Sequence, residues 1–290
     1  MVDRNIFALT RCDLAKQLAG FGIEENEANK EAILILEHAT GLTQTAQITS
    51  DKGELEPAWQ DEIERILQGR QLRVPIQYIL GKAYFMGLDL KVEPGVLIPR
   101  PDTEALVETV IDFSKRKGHP SRIGEIGVGA GPIAISLLKR LTAARIFACD
   151  ISAKAIAVTS LNAIRHGVAE RLELVEGDWR TALPRDFDAV VSNPPYVPLK
   201  QKGMLPREIA EHEPPAALFD EEVDGLGFFR AFAEILPEHL KRGSGWLAVE
   251  FGDGQSEAVT AIFQARAWRE VKIHADIHGL PRVLTATVPF

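Results

Sequence analysis

From about residue 102 onward, the sequence alternates between segments with helical periodicity and short apolar runs, and this alternation restricts the fold more than any other feature. In order, the segments are TEALVETVIDFSKRKG, SRIGEIG, PIAISLLKRL, ARIFACD, SAKAIAVTSLNAIRHG, RLELVEGD and FDAVVSN. Strands that alternate with helices at this spacing form a parallel sheet with helices on both faces. Two later strand-like segments, REVKIHADIHG and RVLTATVPF, predict an antiparallel edge. Residues 102–290 are therefore predicted to form an α/β domain with a mostly parallel sheet.

The first part of the chain has a different pattern. Apolar residues with helical spacing cover three segments, at roughly 4–19, 25–39 and 57–72. Gly41 is placed to end the second of them. Residues 1–80 contain 8 lysines and arginines against 13 aspartates and glutamates, a net charge of −5. We therefore predict a small acidic helical domain over residues 1–73, followed at 74–101 by a linker with a β-hairpin around Gly87.

Charge and hydropathy limit the possible partners. The whole chain has a formal net charge of −8, which argues against a dominant electrostatic attraction to nucleic acid. It contains no apolar run of about 18 residues, and its first residues, MVDRNIFALTRCD, lack the apolar block and cleavage site of a signal peptide. The sequence thus predicts a cytoplasmic protein that binds neither membranes nor nucleic acid directly.

Cysteine and histidine spacing indicates neither a disulfide framework nor a metal site. Cys12 and Cys149 are far apart, and both are interpreted as small buried apolar residues. Trp59 and Phe85 are expected in the core. The histidines are interpreted as surface or capping groups rather than metal ligands; they are His38, His119, His166, His212, His239, His274 and His278.

A glycine-rich turn is the first candidate for ligand binding. Gly127, Gly129 and Gly131 follow an apolar strand and precede a helix, and in this context glycines let the backbone approach a ligand closely. Pro132 suits the first turn of that helix, where its missing N–H costs nothing. The alternative is a plain tight turn without a ligand.

Acidic and aromatic residues follow the next two predicted strands. Asp150 lies 19 residues after Gly131, where an acid in such sheets accepts hydrogen bonds from ribose hydroxyls. It is also a candidate helix cap, although Ser152 is the better one. Asp178 and Trp179 are expected to border a pocket the size of a nucleobase.

The segment Asn193-Pro194-Pro195-Tyr196 follows a fourth strand. Proline lacks a backbone donor and restricts the preceding residue to extended conformations, so this segment is stiff. Its start lies at the same edge of the sheet as the glycine turn and the two acids, where ligands of such sheets bind. The stiffness predicts that Asn193 and Tyr196 are held in fixed positions.

These residues resemble those of class I S-adenosylmethionine-dependent methyltransferases that methylate an amino or amide nitrogen. The longer segments PIQYILGKAYFMGLDLKVEPGVLIPRPDTEALVE, VVSNPPYVP and EHEPPAALFDEEVDGLGFFR resemble the protein-(glutamine-N5) methyltransferases of the HemK or PrmC family, which act on peptide-chain release factors. The resemblance runs from about residue 74 to the end, and the family has an N-terminal helical domain. It implies a Rossmann-like sheet of seven strands and methylation of the glutamine in a Gly-Gly-Gln motif.

The resemblance also implies roles for single positions. The turn Gly127, Val128, Gly129, Ala130 and Gly131 would approach the methionine part of S-adenosylmethionine, which leaves as S-adenosylhomocysteine. Asp150 would bind the ribose, and Asp178 and Trp179 would lie at the adenine. Asn193, Pro194, Pro195 and Tyr196 would hold the glutamine amide, with Asn193 also beside the cofactor. Arg100 is either part of this machinery or a structural ion-pair partner of Asp102 or Glu104.

The chemistry explains why such a segment is needed. An amide nitrogen is a poor nucleophile because its lone pair is delocalised, so positioning must lower the barrier. The Asn193 side-chain oxygen and the Pro194 carbonyl can accept hydrogen bonds from the substrate NH₂ group, and these bonds strengthen as the nitrogen gains positive charge. The Tyr196 ring offers a face for the planar amide.

Two other functions are compatible with parts of the pattern. An adenine N6-methyltransferase of nucleic acid shares the Asn-Pro-Pro-Tyr segment and would flip a base into the same pocket, but such enzymes normally have a basic groove. A binding module without catalysis is the other. The acidic N-terminal domain favours a protein substrate with basic surfaces, as release factors have, and we expect the enzyme to be monomeric.

Overall fold

The computed structural model describes residues 5–50, 53–118 and 120–289. The chain forms two compact units, one made of Met1–Gly81 with Arg207–His212 and the other of Lys82–Pro206 with Glu213–Phe290. The domain boundary predicted at residue 73 and the role of the first domain in substrate binding stay predictions.

The first unit is helical. Its helices are α1 (Ile6–Gly20), α2 (Glu25–Thr40), α3 (Gln44–Ile48), α4 (Pro57–Gln71), α5 (Ile76–Leu80) and, from much later in the chain, α10 (Arg207–His212). The Asn5 side chain caps α1 by accepting from two backbone N–H groups, and Gly41 ends α2 with a φ of +69°, as predicted. Leu18, Ile35 and Ile66 have no exposed surface and lie in the core between these helices. Trp59 packs at the margin of this core, half-buried.

A buried ion cluster joins the helices of the first unit. The Arg70 guanidinium, 2% exposed, donates to both carboxylate oxygens of Glu31, over 2.7 and 2.9 Å. It also donates to the Val74 carbonyl and to Glu208 on α10, which accepts from Arg73 as well. Burial raises the pKa of Glu31, and the neighbouring Arg70 opposes this effect.

The second unit contains a seven-stranded sheet. The strands are β3 (Arg122–Ile126), β4 (Arg145–Asp150), β5 (Leu172–Glu176), β6 (Ala189–Ser192), β9 (Trp246–Glu250), β10 (Arg269–Ala275) and β11 (Pro281–Thr287). Their order is β10-β11-β9-β6-β3-β4-β5. The five strands from β9 to β5 are parallel, and β11 runs antiparallel to both β9 and β10. This confirms the predicted mostly parallel sheet with an antiparallel pair at one edge.

Two small pairs of strands and several helices complete this unit. The pairs are the hairpin β1 (Lys82–Phe85) with β2 (Leu88–Lys91), which turns at Gly87 as predicted, and β7 (Val197–Pro198) with β8 (Phe219–Asp220). The α-helices are α6 (Glu104–Lys117), α7 (Pro132–Arg140), α8 (Ala153–Arg165), α9 (Trp179–Ala182), α11 (Pro215–Leu218), α12 (Gly227–Ile235) and α13 (Ser256–Ala265). Short 3₁₀ helices lie at Pro101–Thr103, Ala169–Arg171, Leu199–Met204 and Leu236–Glu238.

The sheet has an apolar layer on each face because its strands are buried on both sides. In β6, Ala189 and Val191 belong to the layer under α6 and α7, whereas Val190 belongs to the layer under α12 and α13. This alternation is the two-residue period of a strand, and it explains why the strands appear in the sequence as continuous apolar runs. Phe85 is buried in the first layer, as predicted.

The prediction for Cys12 is wrong, while that for Cys149 is confirmed. Cys149 is buried in β4, but Cys12 is exposed on α1. The buried residues of α1 are Phe7, Leu14 and Leu18, and the 100° rotation per residue of a helix places position 12 on the opposite side. Within the described ranges, we find no cluster of metal-binding side chains and no helix long and apolar enough to cross a membrane. His119 lies outside the described residues.

Candidate active site

The glycine-rich turn connects β3 to α7. Gly127, Gly129 and Gly131 have φ values of +76°, +57° and +83°, in the left-handed region that side chains disfavour. A Cβ atom at Gly131 would also lie 2.9 Å from side-chain atoms of Ile135 and Thr159. The turn therefore requires glycine for both conformation and space.

The two residues between these glycines face the core. Val128 and Ala130 are each 1% exposed as whole residues, so their side chains do not reach a ligand. Pro132 begins α7, as predicted. The roles of Val128 and Ala130 toward a cofactor stay predictions.

Asp150 ends β4 and faces the glycine turn. Its Oδ2 accepts from the Gly129 N–H over 3.0 Å, and its Oδ1 accepts from the Ser152 N–H over 2.9 Å. Burial raises the pKa of Asp150, and these two backbone donors oppose the increase. The cap of α8 is Ser152, whose hydroxyl accepts from the Ala155 N–H. Each Asp150 oxygen thus keeps a lone pair that can accept from a hydroxyl.

Asp178 and Trp179 follow β5. The Asp178 carboxylate is half-exposed and caps α9 by accepting from the Arg180 N–H over 2.9 Å. Trp179 is 4% exposed and packs edge-on against Phe232, with ring centroids 5.0 Å apart. Because the indole is packed into the apolar layer under α12, its place at an adenine pocket stays a prediction.

The Asn-Pro-Pro-Tyr segment leaves the end of β6. The Ser192 hydroxyl donates to the Ile126 carbonyl over 2.8 Å, which joins this end to the start of the glycine turn. The Asn193 amide nitrogen donates to the Thr103 hydroxyl oxygen over 3.0 Å. This bond leaves the amide oxygen of Asn193 to accept from a ligand. Pro194 is buried and Tyr196 is half-buried.

Tyr196 is held by three residues on one side of the site. Its hydroxyl donates to Glu250 Oε1 over 3.3 Å, and its carbonyl accepts from the Gln255 amide over 3.0 Å. A Cβ atom at Gly252 would lie 2.9 Å from the tyrosine ring. Burial and the neighbouring carboxyl of Glu250 raise the pKa of Tyr196, so the hydroxyl keeps its proton. A cavity of about 300 Å³ lies beside the tyrosine, and its lining includes residues 252–255.

Three polar residues of this site were not identified in the sequence: Thr103, Glu250 and Gln255. Glu250 ends β9 and has no exposed surface. Burial raises the pKa of Glu250 to about 7, and the nearby hydroxyls of Thr103 and Tyr196 oppose this increase. The sequence does contain a signal for Glu250. It ends the apolar run WLAVE, which marks a further strand end at the same edge of the sheet.

Of the two alternatives for Arg100, the ion pair with Asp102 or Glu104 is wrong. Arg100 pairs with Glu213, whose carboxylate is buried. Asp102 pairs with Arg282 over 3.2 Å, and Glu104 accepts from a backbone N–H. The backbone of Arg100 is extended, as expected before a proline.

The described residues fit S-adenosylmethionine, which supplies a methyl group on positively charged sulfur when it is bound. Gly127 is exposed and Gly129 is half-exposed, so the backbone of the turn is open there to close approach by a ligand. Asp150 can still accept from ribose hydroxyls, and Asn193 follows β6, which lies on the other side of β3 from the strand that Asp150 ends. This fold and site define a class I S-adenosylmethionine-dependent methyltransferase.

Comparison with known proteins identifies the family. Residues 13–81 match the family model of the PrmC N-terminal domain, and residues 101–212 match that of the methyltransferase small domain. The release factor glutamine methyltransferase of Geobacter sulfurreducens is 38% identical over 282 residues, or 97% of this chain and 95% of that protein. The protein of the same name from Caulobacter vibrioides is 38% identical over 88% of this chain and 87% of its own length. The chain therefore belongs to the release factor glutamine methyltransferase family.

A solved structure supports the fold independently. A methyltransferase from Pyrococcus furiosus has a TM-score of 0.52 and 16% sequence identity, and the match covers 79% of this chain and 99% of that one. At this identity the likeness concerns the fold only.

Proposed function

We propose that this enzyme methylates the side-chain amide nitrogen, N5, of the glutamine in the Gly-Gly-Gln motif of a peptide-chain release factor. The observation that carries the proposal is the orientation of Asn193. Its amide nitrogen is engaged by Thr103, so its amide oxygen is the group available to accept from a substrate NH₂. The names of the relatives that share 38% of their residues with this chain support the choice of substrate.

Each residue of the site has a separate role in this reaction. Asn193 Oδ1 and the Pro194 carbonyl accept from the two N–H bonds of the glutamine amide and orient its nitrogen toward the methyl group. Tyr196 supports the planar amide, and Pro195 stiffens the segment. The turn from Gly127 to Gly131 holds the methionine part of the cofactor, with Asp150 at the ribose and Asp178 and Trp179 at the adenine.

The two acceptors, Asn193 Oδ1 and the Pro194 carbonyl, bind the substrate amide most strongly in the transition state. As the amide nitrogen gains positive charge, its N–H groups become better donors, and hydrogen bonds to fixed acceptors strengthen in the transition state. In oxyanion holes, where fixed hydrogen-bonding groups also act on a developing charge, removing one such group costs roughly 2.7–4 kcal/mol. We therefore assign the rate enhancement to positioning and to fixed acceptors rather than to a general base, and the methylated nitrogen then loses its extra proton to water.

Charge favours a protein substrate over a nucleic acid. Residues 1–80 carry a net charge of −5 and the chain carries −8, which suits a partner with basic surfaces and disfavours an adenine N6-methyltransferase acting on a phosphate backbone. We propose that the enzyme acts as a monomer in the cytoplasm, on the free release factor and without direct contact to nucleic acid.

The test is methyl transfer from labelled S-adenosylmethionine to a purified release factor. A factor whose Gly-Gly-Gln glutamine is replaced by alanine is the matched control, and duplex DNA is a parallel acceptor. We expect label in the intact factor only. Label in the alanine variant, or in DNA, would contradict the proposal.

A further inference from the structure

Two buried polar side chains of α8 lie against the glycine turn. Thr159 and Asn162 both have 0% exposure, and their spacing of three residues places them on one face of the helix. The other buried residues of that face are Ala155, Val158 and Ala163. A buried hydroxyl or amide is costly unless it has hydrogen-bond partners, so the partners indicate what each of the two side chains does.

Thr159 holds one carbonyl of the turn. Its hydroxyl donates to the Gly129 carbonyl over 2.8 Å, while the Gly129 N–H donates to Asp150 over 3.0 Å. The peptide groups on both sides of Gly129 are therefore fixed by side chains. Gly129 is half-exposed and has a φ of +57°, so this is a part of the turn that a ligand can reach. Glycine has more backbone freedom than any other residue, and the two bonds restrict that freedom.

Asn162 holds the next carbonyl of the turn. Its amide nitrogen donates to the Ala130 carbonyl over 2.9 Å and to the Lys91 carbonyl over 3.0 Å, and its oxygen accepts from the Lys91 N–H over 2.8 Å. Lys91 ends strand β2, so this side chain connects the hairpin, α8 and the turn. The opposite orientation of the amide would place its oxygen against two carbonyl oxygens that have no proton to donate. The three bonds therefore define one orientation.

The turn depends on these side chains because its own backbone supplies no donor for the two carbonyls. Among the described residues, we find no backbone N–H that donates to the carbonyl of Gly129 or Ala130. A buried carbonyl without a donor costs free energy comparable to a lost hydrogen bond. Without Thr159 and Asn162, rotation of these peptide groups would relieve that cost, and the glycines at 129 and 131 permit such rotation.

We propose that Thr159 and Asn162 are positioning residues for S-adenosylmethionine, which keep the glycine turn in its binding conformation before the cofactor arrives. A turn that already has this conformation needs no further ordering when the cofactor binds, and a preorganised site binds more tightly than one that must first be ordered. The inference goes beyond the proposed function, because it concerns the cofactor alone and holds for any methyl acceptor.

Two substitutions at Thr159 separate its hydrogen bond from its packing. Thr159→Val keeps the shape and removes the donor, whereas Thr159→Ser keeps the donor and removes a buried methyl group. In titration calorimetry without a methyl acceptor, the dissociation constant for S-adenosylmethionine should rise roughly fivefold in Thr159→Val, which corresponds to about 1 kcal/mol, the contribution of one hydrogen bond. In Thr159→Ser it should stay within about twofold of the wild-type value. If packing alone mattered, Thr159→Ser would bind more weakly than Thr159→Val, since a removed methyl group leaves a cavity.

Ser114→Ala is the matched control for the loss of a buried hydroxyl. Ser114 has 0% exposure, and its hydroxyl donates to the Val110 carbonyl over 2.6 Å within α6. This variant should keep the wild-type affinity for S-adenosylmethionine even if its melting temperature falls. Wild-type affinity in Thr159→Val, weaker binding in Thr159→Ser than in Thr159→Val, or an equal loss of affinity in Ser114→Ala would overturn the positioning role.

Hydrogen exchange followed by NMR tests the turn before the cofactor is added, and it requires no variant. In the cofactor-free wild type, the backbone amide of Gly129 should exchange at least about a hundredfold more slowly than in an unstructured peptide. The side-chain amide protons of Asn162 should exchange at least roughly tenfold more slowly than those of the exposed Asn26. Addition of S-adenosylmethionine should change these rates little. Amides of the turn that become protected only after the cofactor is added would show that the cofactor orders the turn, and the inference would then be wrong.

Discussion

Replacing Arg70 by methionine should destabilise the helical unit selectively. The substitution keeps the length and apolar stem of the side chain but leaves the Glu31 carboxylate, with 4% side-chain exposure, without its two hydrogen bonds at 2.7 and 2.9 Å. It also frees the Val74 carbonyl and one oxygen of Glu208. Removing one partner of a buried ion pair costs roughly 3–5 kcal/mol because the other charge stays buried and unpaired. This is a large part of the free energy of unfolding of a whole domain, which is typically about 10 kcal/mol.

The loss should be measured by hydrogen exchange with mass spectrometry, since a protein with two units need not unfold in one step. For the amides of α2 and α4, the free energy of opening should fall by roughly 3–5 kcal/mol. For the amides of β6 it should stay unchanged. Arg65→Met is the comparison, because Arg65 is half-exposed and its pair with Glu62 should contribute only about 1 kcal/mol. The double variant Glu31→Met with Arg70→Met should recover most of the loss. A loss in Arg70→Met below about 1 kcal/mol, or an equal loss in β6, would refute the reasoning.

Three further predictions concern the second unit. Gly131→Ala places a Cβ atom 2.9 Å from its neighbours at a φ of +83°, so titration calorimetry should show at least about tenfold weaker binding of S-adenosylmethionine; unchanged affinity would contradict the role of the turn. Burial and the nearby Asp150 carboxylate raise the pKa of Glu125 well above its ordinary value. The wild type should therefore lose stability, by up to about 1.4 kcal/mol per pH unit, as pH rises from the unfolded toward the folded pKa, and melting curves of Glu125→Gln should lack this slope. Gln255→Ala removes the bonds to the Tyr196 carbonyl and the Gly252 N–H, so KM for the protein substrate should rise roughly thirtyfold at unchanged cofactor affinity, since the two bonds together contribute about 2 kcal/mol.

The sheet was predictable because its signals are local. Apolar runs such as DAVVS, the glycines at 127, 129 and 131, and the acid at 150 each indicate one element or one strand end. Their meeting at one edge follows from parallel strands. The turn and Asn193 therefore could be placed together without coordinates.

The parts that sequence reasoning missed depend on contacts between distant residues. Glu250 belongs to the site only because β9 lies beside β6, and nothing in the sequence near Asn193 indicates this order. The pairing of Arg100 with Glu213 joins residues 113 positions apart, and a nearer acid was the natural expectation. Cys12 was assigned from the average behaviour of cysteine, whereas the face of α1 on which it lies decides its exposure.

The most direct test of the central claim is mass spectrometry of a release factor after reaction with the enzyme and S-adenosylmethionine. The account predicts one added methyl group, located by fragmentation on the side-chain nitrogen of the Gly-Gly-Gln glutamine. It also predicts that Asn193→Ala, with the cofactor still bound, adds none in the same time. A methyl group on another residue, or full methylation by Asn193→Ala, would contradict the account.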